Sequence, residues 1–391
     1  MEFRKVYLDN VATTFVANEV MREMLPTFTS IFGNPSSTHS YGRDAVALVD
    51  NARDKVAKAL GANANEIYFT SGGTEANNWA IRGLAYANRN KGNHIITSQI
   101  EHDSILNTCR ELEKEGFTVT YLKVSKDGFI NFADLIHSIN KNTILISIMT
   151  ANNEIGTIQH IQAIAQTAKE KGIIFHTDAV QAVGTINFNL EDLSIDAMSV
   201  SSHKLYGPKG AGCLYIKEDT KIESLIFGGN QERKLRGGTL NVPSIVGFGK
   251  AIEIANRDMS INHKKLKMLR EYFVKNLIDN IEDIHFNGHE IQRLPGLVSV
   301  TFDYVEAEAI ITMLDMEGIA VSAGSACDSG SLEPSHVLKA IGLTNQEAKG
   351  TIRFSFGKSN TKDEIEYVIE KLVVIVEKLR SMSPIKRKRK V

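Results

Sequence analysis

The chain has 391 residues, of which 42% are hydrophobic and 23% are charged, and its formal net charge is -1. This is the composition of a globular protein that is long enough to build more than one core, and it excludes a disordered or fibrous chain. Because positive and negative charges are nearly equal in number, the chain has no overall electrostatic field that would attract nucleic acid or an anionic membrane. A small-molecule ligand is therefore favoured, and neither nucleic acid nor a membrane is expected as a partner.

The three cysteines, Cys109, Cys213 and Cys327, lie far apart in the sequence. They form no CxxC pair, and no His/Cys spacing typical of a structural zinc site occurs. No apolar run is long enough to cross a bilayer. We therefore predict a cytoplasmic protein in a reducing compartment, with no certain metal site.

The first long element is a predicted helix over residues 44–60, where apolar residues recur at three- and four-residue steps before Gly61. Short β-branched or aromatic runs follow at residues 66–70, 94–98, 118–124, 143–149, 173–177, 196–200 and 212–216, and helical segments separate most of them. Strands that alternate with helices predict an α/β domain whose mostly parallel sheet is covered by helices.

The pattern changes after Pro243 to a long amphipathic stretch that reaches about residue 281. Shorter strands at residues 298–302, 319–322 and 351–356 and a final helix then predict a smaller α+β domain. We expect an N-terminal arm at residues 1–15, a large domain at 16–258, a small domain at 259–383 and a basic tail at 384–391. The tail is predicted to be a solvated, disordered end, with targeting or binding of an anionic partner as the alternative.

A glycine-rich turn, Gly72-Gly73-Thr74, separates a predicted strand from the helix that begins near Ala76. Glycines let the backbone approach an anion, the start of a helix offers free N–H groups, and Thr74 adds a hydroxyl. The turn is therefore a candidate phosphate site, although a glycine pair also occurs where only a tight turn is needed.

Two further strand ends carry candidate chemistry. Lys204 follows a strand within a segment rich in hydroxyls and glycines, where a partly desolvated amine could form a Schiff base. Asp178 ends an earlier strand, and its carboxylate could pair with a cofactor nitrogen. The alternatives are a surface lysine and a helix-capping aspartate.

Cys327 lies in a segment of small residues, 321–331, unlike the apolar surroundings of a structural cysteine. Such a segment can present a reactive thiol. Cys109, in a helix-like stretch, and Cys213, in an apolar strand, are expected to be buried instead.

These motifs, in this order, resemble the cysteine desulfurases of the NifS/IscS type, within the class V aminotransferases. The resemblance covers nearly the whole chain and also includes residues 7–14, 32–37, 101–102, 152–156, 236–239, 322–327, 332–338 and 352–355. It implies the type I fold of pyridoxal-phosphate-dependent transferases. One departure is Val11, which stands where the family usually has alanine.

The resemblance also implies roles for individual residues. Lys204 would bind the pyridoxal 5'-phosphate covalently, Asp178 would pair with the pyridine nitrogen, and His102 would stack on the ring. Cofactor contacts would come from Gly73, Thr74, His102, Asn153, Asp178, Gln181, Ser201, His203, Lys204 and, from a second subunit, Thr239. Asn153 and Arg353 would hold the substrate carboxylate, with Asn10 as a further candidate.

The implied reaction converts L-cysteine to L-alanine and leaves sulfur on Cys327 as a persulfide. The catalytic residues would be Lys204, Cys327 and His102. A homodimer is implied, and the sulfur would pass to an iron–sulfur scaffold protein or another acceptor; the resemblance leaves open whether Cys327 also ligates a cluster during transfer. The alternatives are a selenocysteine lyase or another class V enzyme, and a non-catalytic scaffold of the same fold.

Overall fold

A computed structural model describes residues 4–187, 189–323 and 334–383. Cys327 and the basic tail at residues 384–391 therefore lie outside the described residues. The helices are α1 (Asn18–Met24), α2 (Pro26–Thr29), α3 (Ser40–Leu60), α4 (Gly73–Ala87), α5 (Asp103–Lys114), α6 (Phe132–Ser138), α7 (Ile161–Glu170), α8 (Val242–Asn280), α9 (Ala307–Met316), α10 (His336–Ala340), α11 (Asn345–Lys349) and α12 (Lys362–Met382). The strands are β1 (Val6–Tyr7), β2 (Ile67–Thr70), β3 (His94–Ser98), β4 (Thr118–Leu122), β5 (Thr143–Ser147), β6 (Ile174–Asp178), β7 (Ala197–Ser201), β8 (Gly212–Ile216), β9 (Ile284–Asn287), β10 (Leu297–Phe302), β11 (Ile319–Ala320), β12 (Ser322–Ala323) and β13 (Thr351–Ser355).

The largest sheet among the described residues has seven strands in the order β2-β8-β7-β6-β5-β3-β4. Strand β8 is antiparallel to both of its neighbours, and the other strands run in one direction. Every residue of β3, β5, β7 and β8 is buried. Burial along the whole length of a strand is typical of a sheet that is covered on both faces. The predicted α/β fold with a mostly parallel sheet is confirmed.

Two hydrophobic cores cover the two faces of this sheet. Ile96 of β3 belongs to a core with α3, α7 and the first part of α8, whereas its neighbour Ile95 belongs to a core with α4 and α5. Successive side chains of a strand point to opposite faces, so one strand contributes to both cores.

Helix α3 begins four residues before the apolar periodicity that predicted it. His39 lies before its first residue, and the Nδ1 atom of His39 accepts a hydrogen bond from the Gly42 N–H at 3.3 Å. The helix ends at Gly61, which has a φ of 68°. Glycine adopts this left-handed conformation without steric cost, and the predicted end is therefore correct.

A second, antiparallel sheet has the order β12-β13-β10-β9. Its core includes side chains from the end of α8, from α9 and from α12. Val6 and Leu8 of the N-terminal arm belong to this core as well, and β1 pairs in parallel with β11. The arm thus joins the first residues of the chain to its C-terminal third.

One predicted strand in this region differs from the structure. The single strand predicted at residues 319–322 is two short strands, because the chain changes partner at Val321 from β1 to β13. Helix α8 runs without interruption past residues 258–259, where the sequence placed a domain boundary. The helix therefore contributes side chains to the core that contains α3 and α7 and to the core of the second sheet.

Two of the cysteines have the surroundings expected from their sequence context. Cys109 in α5 and Cys213 in β8 are both buried and unpaired. Burial raises the pKa of the Cys109 thiol to about 12 and moves the pKa of Cys213 in the same direction. Neither thiol is therefore a nucleophile at neutral pH. None of the described helices is long and apolar enough to span a membrane.

Candidate active site

A cavity of about 370 Å³ lies beyond the C-terminal ends of the parallel strands, between them and β13. Ligands bind at this edge of open α/β sheets because the loops that follow the strands converge there. The predicted site residues that line it together are Gly73, Thr74, His102, Asn153, Asp178, Gln181, Ser201, His203, Lys204 and Arg353.

Lys204 lies at the end of a single helical turn, Ser202–Lys204, that directly follows β7. Its Nζ atom donates hydrogen bonds to the carbonyl oxygens of Val11 at 2.6 Å and Ala12 at 2.7 Å. Both acceptors belong to the N-terminal arm and line the same cavity. The arm therefore holds the amine at the wall of the cavity.

Asp178 is the last residue of β6, and only 6% of it is exposed. Its Oδ2 atom accepts a hydrogen bond from Asn77 Nδ2 at 2.7 Å, and its Oδ1 atom accepts one from the Val180 N–H at 2.9 Å. The second bond is a capping contact, the alternative role that the sequence analysis gave for Asp178. The first comes from another helix and orients the carboxylate toward the cavity that Asp178 lines.

His102 precedes the first residue of α5 and caps that helix. Its Nδ1 atom accepts a hydrogen bond from the Ser104 N–H at 3.1 Å and lies 2.8 Å from Ser104 Oγ. A nitrogen that accepts from a backbone N–H carries no proton, so the neutral ring is protonated at Nε2. The capping contact thus fixes both the orientation and the tautomer of the imidazole.

The glycine-rich turn forms a close-packed wall of the cavity at the start of α4. A Cβ atom on Gly73 would lie 2.8 Å from a methyl group of Val180, so a larger residue there would displace the Val180 side chain. Across the turn, Ser201 ends β7 and His203 follows it. Burial, together with the charges of Lys204 and Lys209, lowers the pKa of His203 to about 4, and its ring is neutral at physiological pH.

Arg353 lies on β13, and only 1% of its surface is exposed. Its guanidinium donates from Nη2 to Asp9 Oδ1 at 2.9 Å and from Nη1 to the carbonyl oxygen of Asn153 at 3.1 Å. A buried, oriented guanidinium is suited to bind a carboxylate. It faces the same cavity as Lys204.

Two predicted residues, Asn10 and Thr239, do not line this cavity. Asn10 is buried and donates from Nδ2 to the Ser355 carbonyl oxygen at 2.8 Å; it lines a neighbouring cavity of about 100 Å³, which Lys204 and Gln181 also border. Thr239 is exposed and is not among the residues that line either cavity in this single chain. Cys327 lies outside the described residues.

Five polar residues line the cavity that the sequence did not single out for a role: Asn77, Asp103, Ser104, Glu154 and His336. Asn77 could have been found, since it is a polar residue one helical turn after Gly73 on the side of α4 that is otherwise apolar. Glu154 and His336 lie inside motifs of the resemblance, but their own chemistry gave no reason to choose them.

The described residues fit a phosphorylated pyridine ring. The start of α4, which is 15 residues long, and the close approach at Gly73 suit a phosphate group. Asp178 can face a ring nitrogen, His102 can face a ring surface, and Lys204 supplies an amine in the same cavity. The volume of about 370 Å³ falls within the usual range for small-molecule sites.

Comparisons with known proteins agree with this site. Residues 6–368 match the family model described as aminotransferase class-V. The chain is 51% identical over 388 residues to the cysteine desulfurase IscS of Dictyoglomus turgidum, with 99% of this chain and 98% of that protein covered. A solved NifS-like protein matches with a TM-score of 0.91 at 39% identity over 96% of this chain and all of that one, 100%. A structure titled SspA in complex with cysteine matches with a TM-score of 0.80 at 38% identity, covering 90% of this chain and 99% of that one. The chain belongs to the class-V aminotransferase family and, within it, to the pyridoxal-phosphate-dependent cysteine desulfurases of the NifS/IscS type.

Proposed function

We propose that this chain is a cysteine desulfurase that releases L-alanine from L-cysteine and transfers the sulfur atom to Cys327 as a persulfide. The observation that carries the proposal is that one cavity brings together Lys204, Asp178, His102 and Arg353. These side chains provide an amine, a partner for a ring nitrogen, a ring that can stack and a group that binds a carboxylate. The solved relative SspA, whose title names a complex with cysteine, supports the same substrate.

Pyridoxal phosphate, when bound, supplies an electron-accepting ring that stabilises negative charge developing at the substrate Cα. In the proposed arrangement Gly73, Thr74, Ser201 and His203 hold its phosphate, and Gln181 lies beside the ring. His203 would bind the phosphate through a hydrogen bond from its ring.

Lys204 is proposed to move the proton of the reaction. With L-cysteine bound in the cavity, the Nζ atom of Lys204 would accept a proton from Cα of the substrate. Arg353 holds the substrate carboxylate and Asp9 holds Arg353, so Cα is kept on the side of the cavity where Lys204 lies. Asn153 lines the same cavity and would also bind the substrate carboxylate. Asn10, a further candidate for this role, lies in the arm and donates to the Ser355 carbonyl oxygen.

Cys327 is proposed as the sulfur acceptor on the strength of the sequence, because the residue itself is not described. The chain on both sides of residues 324–333 lies at the site: Ser322 of β12 pairs with Arg353, and His336 lines the cavity. The Cys327 thiolate would attack the substrate sulfur; a new S–S bond forms, the C–S bond breaks, and the remaining three-carbon product leaves as L-alanine after protonation.

Mass spectrometry of the full-length enzyme after treatment with L-cysteine tests the proposal. A gain of one sulfur atom on the peptide that contains Cys327 is expected, while Cys109→Ser and Cys213→Ser variants keep this gain. The Cys327→Ala variant should release no sulfur in a single turnover. Full sulfur release by that variant would contradict the proposal and would point to a lyase of the selenocysteine type.

We also propose that the chain works as a homodimer in which Thr239 of one subunit reaches the phosphate of the other. Thr239 is exposed and lies outside its own cavity, as a residue donated to a partner would. Phe28, Phe32 and Tyr41 are 60%, 65% and 54% exposed, and an apolar surface of this kind favours association. Sedimentation should show a dimer. Thr239→Ala should weaken cofactor binding without dissociating the dimer. A monomer that binds the cofactor equally well would contradict this arrangement.

The physiological acceptor is proposed to be an iron–sulfur scaffold protein or another sulfur carrier, in the cytoplasm. The two buried thiols support a reducing compartment, because neither is paired. Transfer of labelled sulfur from the persulfide enzyme to a purified scaffold protein tests this acceptor. Failure of transfer to any scaffold, with persulfide formation intact, would leave a different carrier as the acceptor.

A further inference from the structure

The amide of Asn77 connects two groups of the site that lie on different elements. Asn77 is in the second turn of α4 and only 1% of it is exposed. Its Nδ2 atom donates one hydrogen bond to Asp178 Oδ2 at 2.7 Å and another to Ser104 Oγ at 2.9 Å. A carboxylate accepts hydrogen bonds and does not donate them, so the nitrogen of this amide must face Asp178.

The direction of these bonds continues to His102. Because Ser104 Oγ accepts from Asn77, its single proton is available for His102 Nδ1, which lies 2.8 Å away. That nitrogen already accepts from the Ser104 N–H, so a second donor at the same place reinforces protonation of the ring at Nε2. The bonds therefore run from Asn77 to Asp178 on one side and, through Ser104, to His102 on the other.

We propose that Asn77 is a positioning residue that sets Asp178 and the tautomer of His102 together. This inference rests on the proposed function, since it assumes that the cofactor ring lies between these two side chains. Asn77 Oδ1 is buried and has no hydrogen-bond partner among the described residues. Both hydrogen bonds recorded for this amide thus go from Nδ2 to groups of the site, which a residue serving only to pack α4 would not require.

Two substitutions separate positioning from packing. Asn77→Leu keeps the approximate outline of the side chain and removes the donor. Asn77→Asp keeps the outline and replaces the donor by acceptors, so the Ser104 hydroxyl turns its proton to the new carboxylate and presents a lone pair to His102. The matched control is Asn88→Leu at the other end of α4, where an amide that is also 1% exposed donates to the Leu84 carbonyl oxygen.

The first readout is the protonation of the His102 ring, measured by nitrogen NMR on the full-length chain with labelled histidine, with and without pyridoxal phosphate. His102→Gln identifies the signal. We expect the Nε2-protonated form in the native chain and in Asn88→Leu. Asn77→Asp should move the ring toward protonation at Nδ1, and Asn77→Leu should give a mixture.

The second readout is the affinity for pyridoxal phosphate, measured by ultrafiltration. Loss of a hydrogen bond to a charged group should weaken binding about tenfold or more in both Asn77 variants, and Asn88→Leu should stay within about twofold of the native value. An unchanged His102 tautomer together with native affinity in folded Asn77→Leu would overturn the proposal. If Asn77→Asp does not fold, Asn77→Leu alone decides. Neither readout requires L-cysteine, so failure of the desulfurase proposal would be seen separately, in the persulfide assay.

Discussion

Glu101 gives a sharp prediction for the pH dependence of stability. The carboxyl is fully buried next to His102, and its Oε1 atom accepts from Ser98 Oγ at 2.6 Å and from the Met149 N–H at 3.0 Å. Burial, with a smaller contribution from the charge of Asp178, raises the pKa of Glu101 from 4.5 to about 8. At neutral pH the folded chain therefore holds a proton that the unfolded chain releases.

The sign follows from this difference in bound protons. Because the pKa of Glu101 is raised in the folded state, its effect lowers the free energy of unfolding as the pH rises from 4.5 to about 8. The difference between the two pKa values of Glu101 lowers the free energy of unfolding by about 3 kcal/mol at neutral pH and by at most about 5 kcal/mol above the folded-state pKa. Glu101→Gln keeps the shape of the protonated acid and removes the loss.

Urea unfolding of the full-length chain without cofactor, at about pH 5 and about pH 8, measures the effect. We expect Glu101→Gln to be close to the native chain at the lower pH and more stable at the higher pH. Glu111→Gln is the control, since the Glu111 side chain is 58% exposed in a surface pair with Lys114 and should change stability little at either pH. A Glu101→Gln effect that is the same at both pH values, or that shrinks as the pH rises, would refute the reasoning.

Three further predictions concern other side chains of the fold and site. Burial and the Lys204 and Lys209 charges lower the pKa of His203, so its NMR titration midpoint should be about 4 in the cofactor-free chain. The contribution of this ring to the free energy of unfolding should rise between about pH 4 and pH 6.5. A midpoint near 6.5 would contradict the burial of His203. Arg353→Lys loses the planar pair of donors that Asp9 orients, so steady-state assays should give a KM for L-cysteine raised about tenfold or more, whereas an unchanged KM would exclude Arg353 from carboxylate binding. Glu232→Ala leaves the Arg53 guanidinium without the two bonds at 2.6 and 2.9 Å that it now makes, and should lower the free energy of unfolding in urea by about 3–5 kcal/mol. The double variant Arg53→Met/Glu232→Leu should recover most of that loss, and no recovery would show that packing rather than charge is lost.

The parts of the fold that the sequence predicted are those determined by local patterns. All seven strands of the large sheet begin within one residue of the predicted start, and β3 and β8 agree at both ends. Helix α12 buries Ile365, Val368 and Leu372 as its periodicity required. These patterns are local because a buried strand or helix face must be apolar whatever its partner is.

The parts that the sequence did not predict depend on contacts between distant residues. Periodicity places Asn77 on the inner face of α4, but the meeting with Asp178 requires the packing of α4 against β6, 101 positions apart. The pairing of Asp9 with Arg353 joins residues 344 positions apart. Strands β11 and β12 were predicted as one because nothing in four consecutive residues indicates two different partners.

The N-terminal arm has a consequence for how the protein is made. The Leu8 carbonyl oxygen accepts from the Ser355 N–H at 2.7 Å, and Asp9 binds Arg353 on the same strand. The ribosome must therefore synthesise nearly the whole chain before the first residues can form their native contacts. Until then the arm carbonyls that hold Lys204 lack their support, so binding competence should arise only at the end of synthesis. Nascent chains that end before β13 should bind pyridoxal phosphate weakly or not at all, even though the seven-stranded sheet lies entirely upstream of that point.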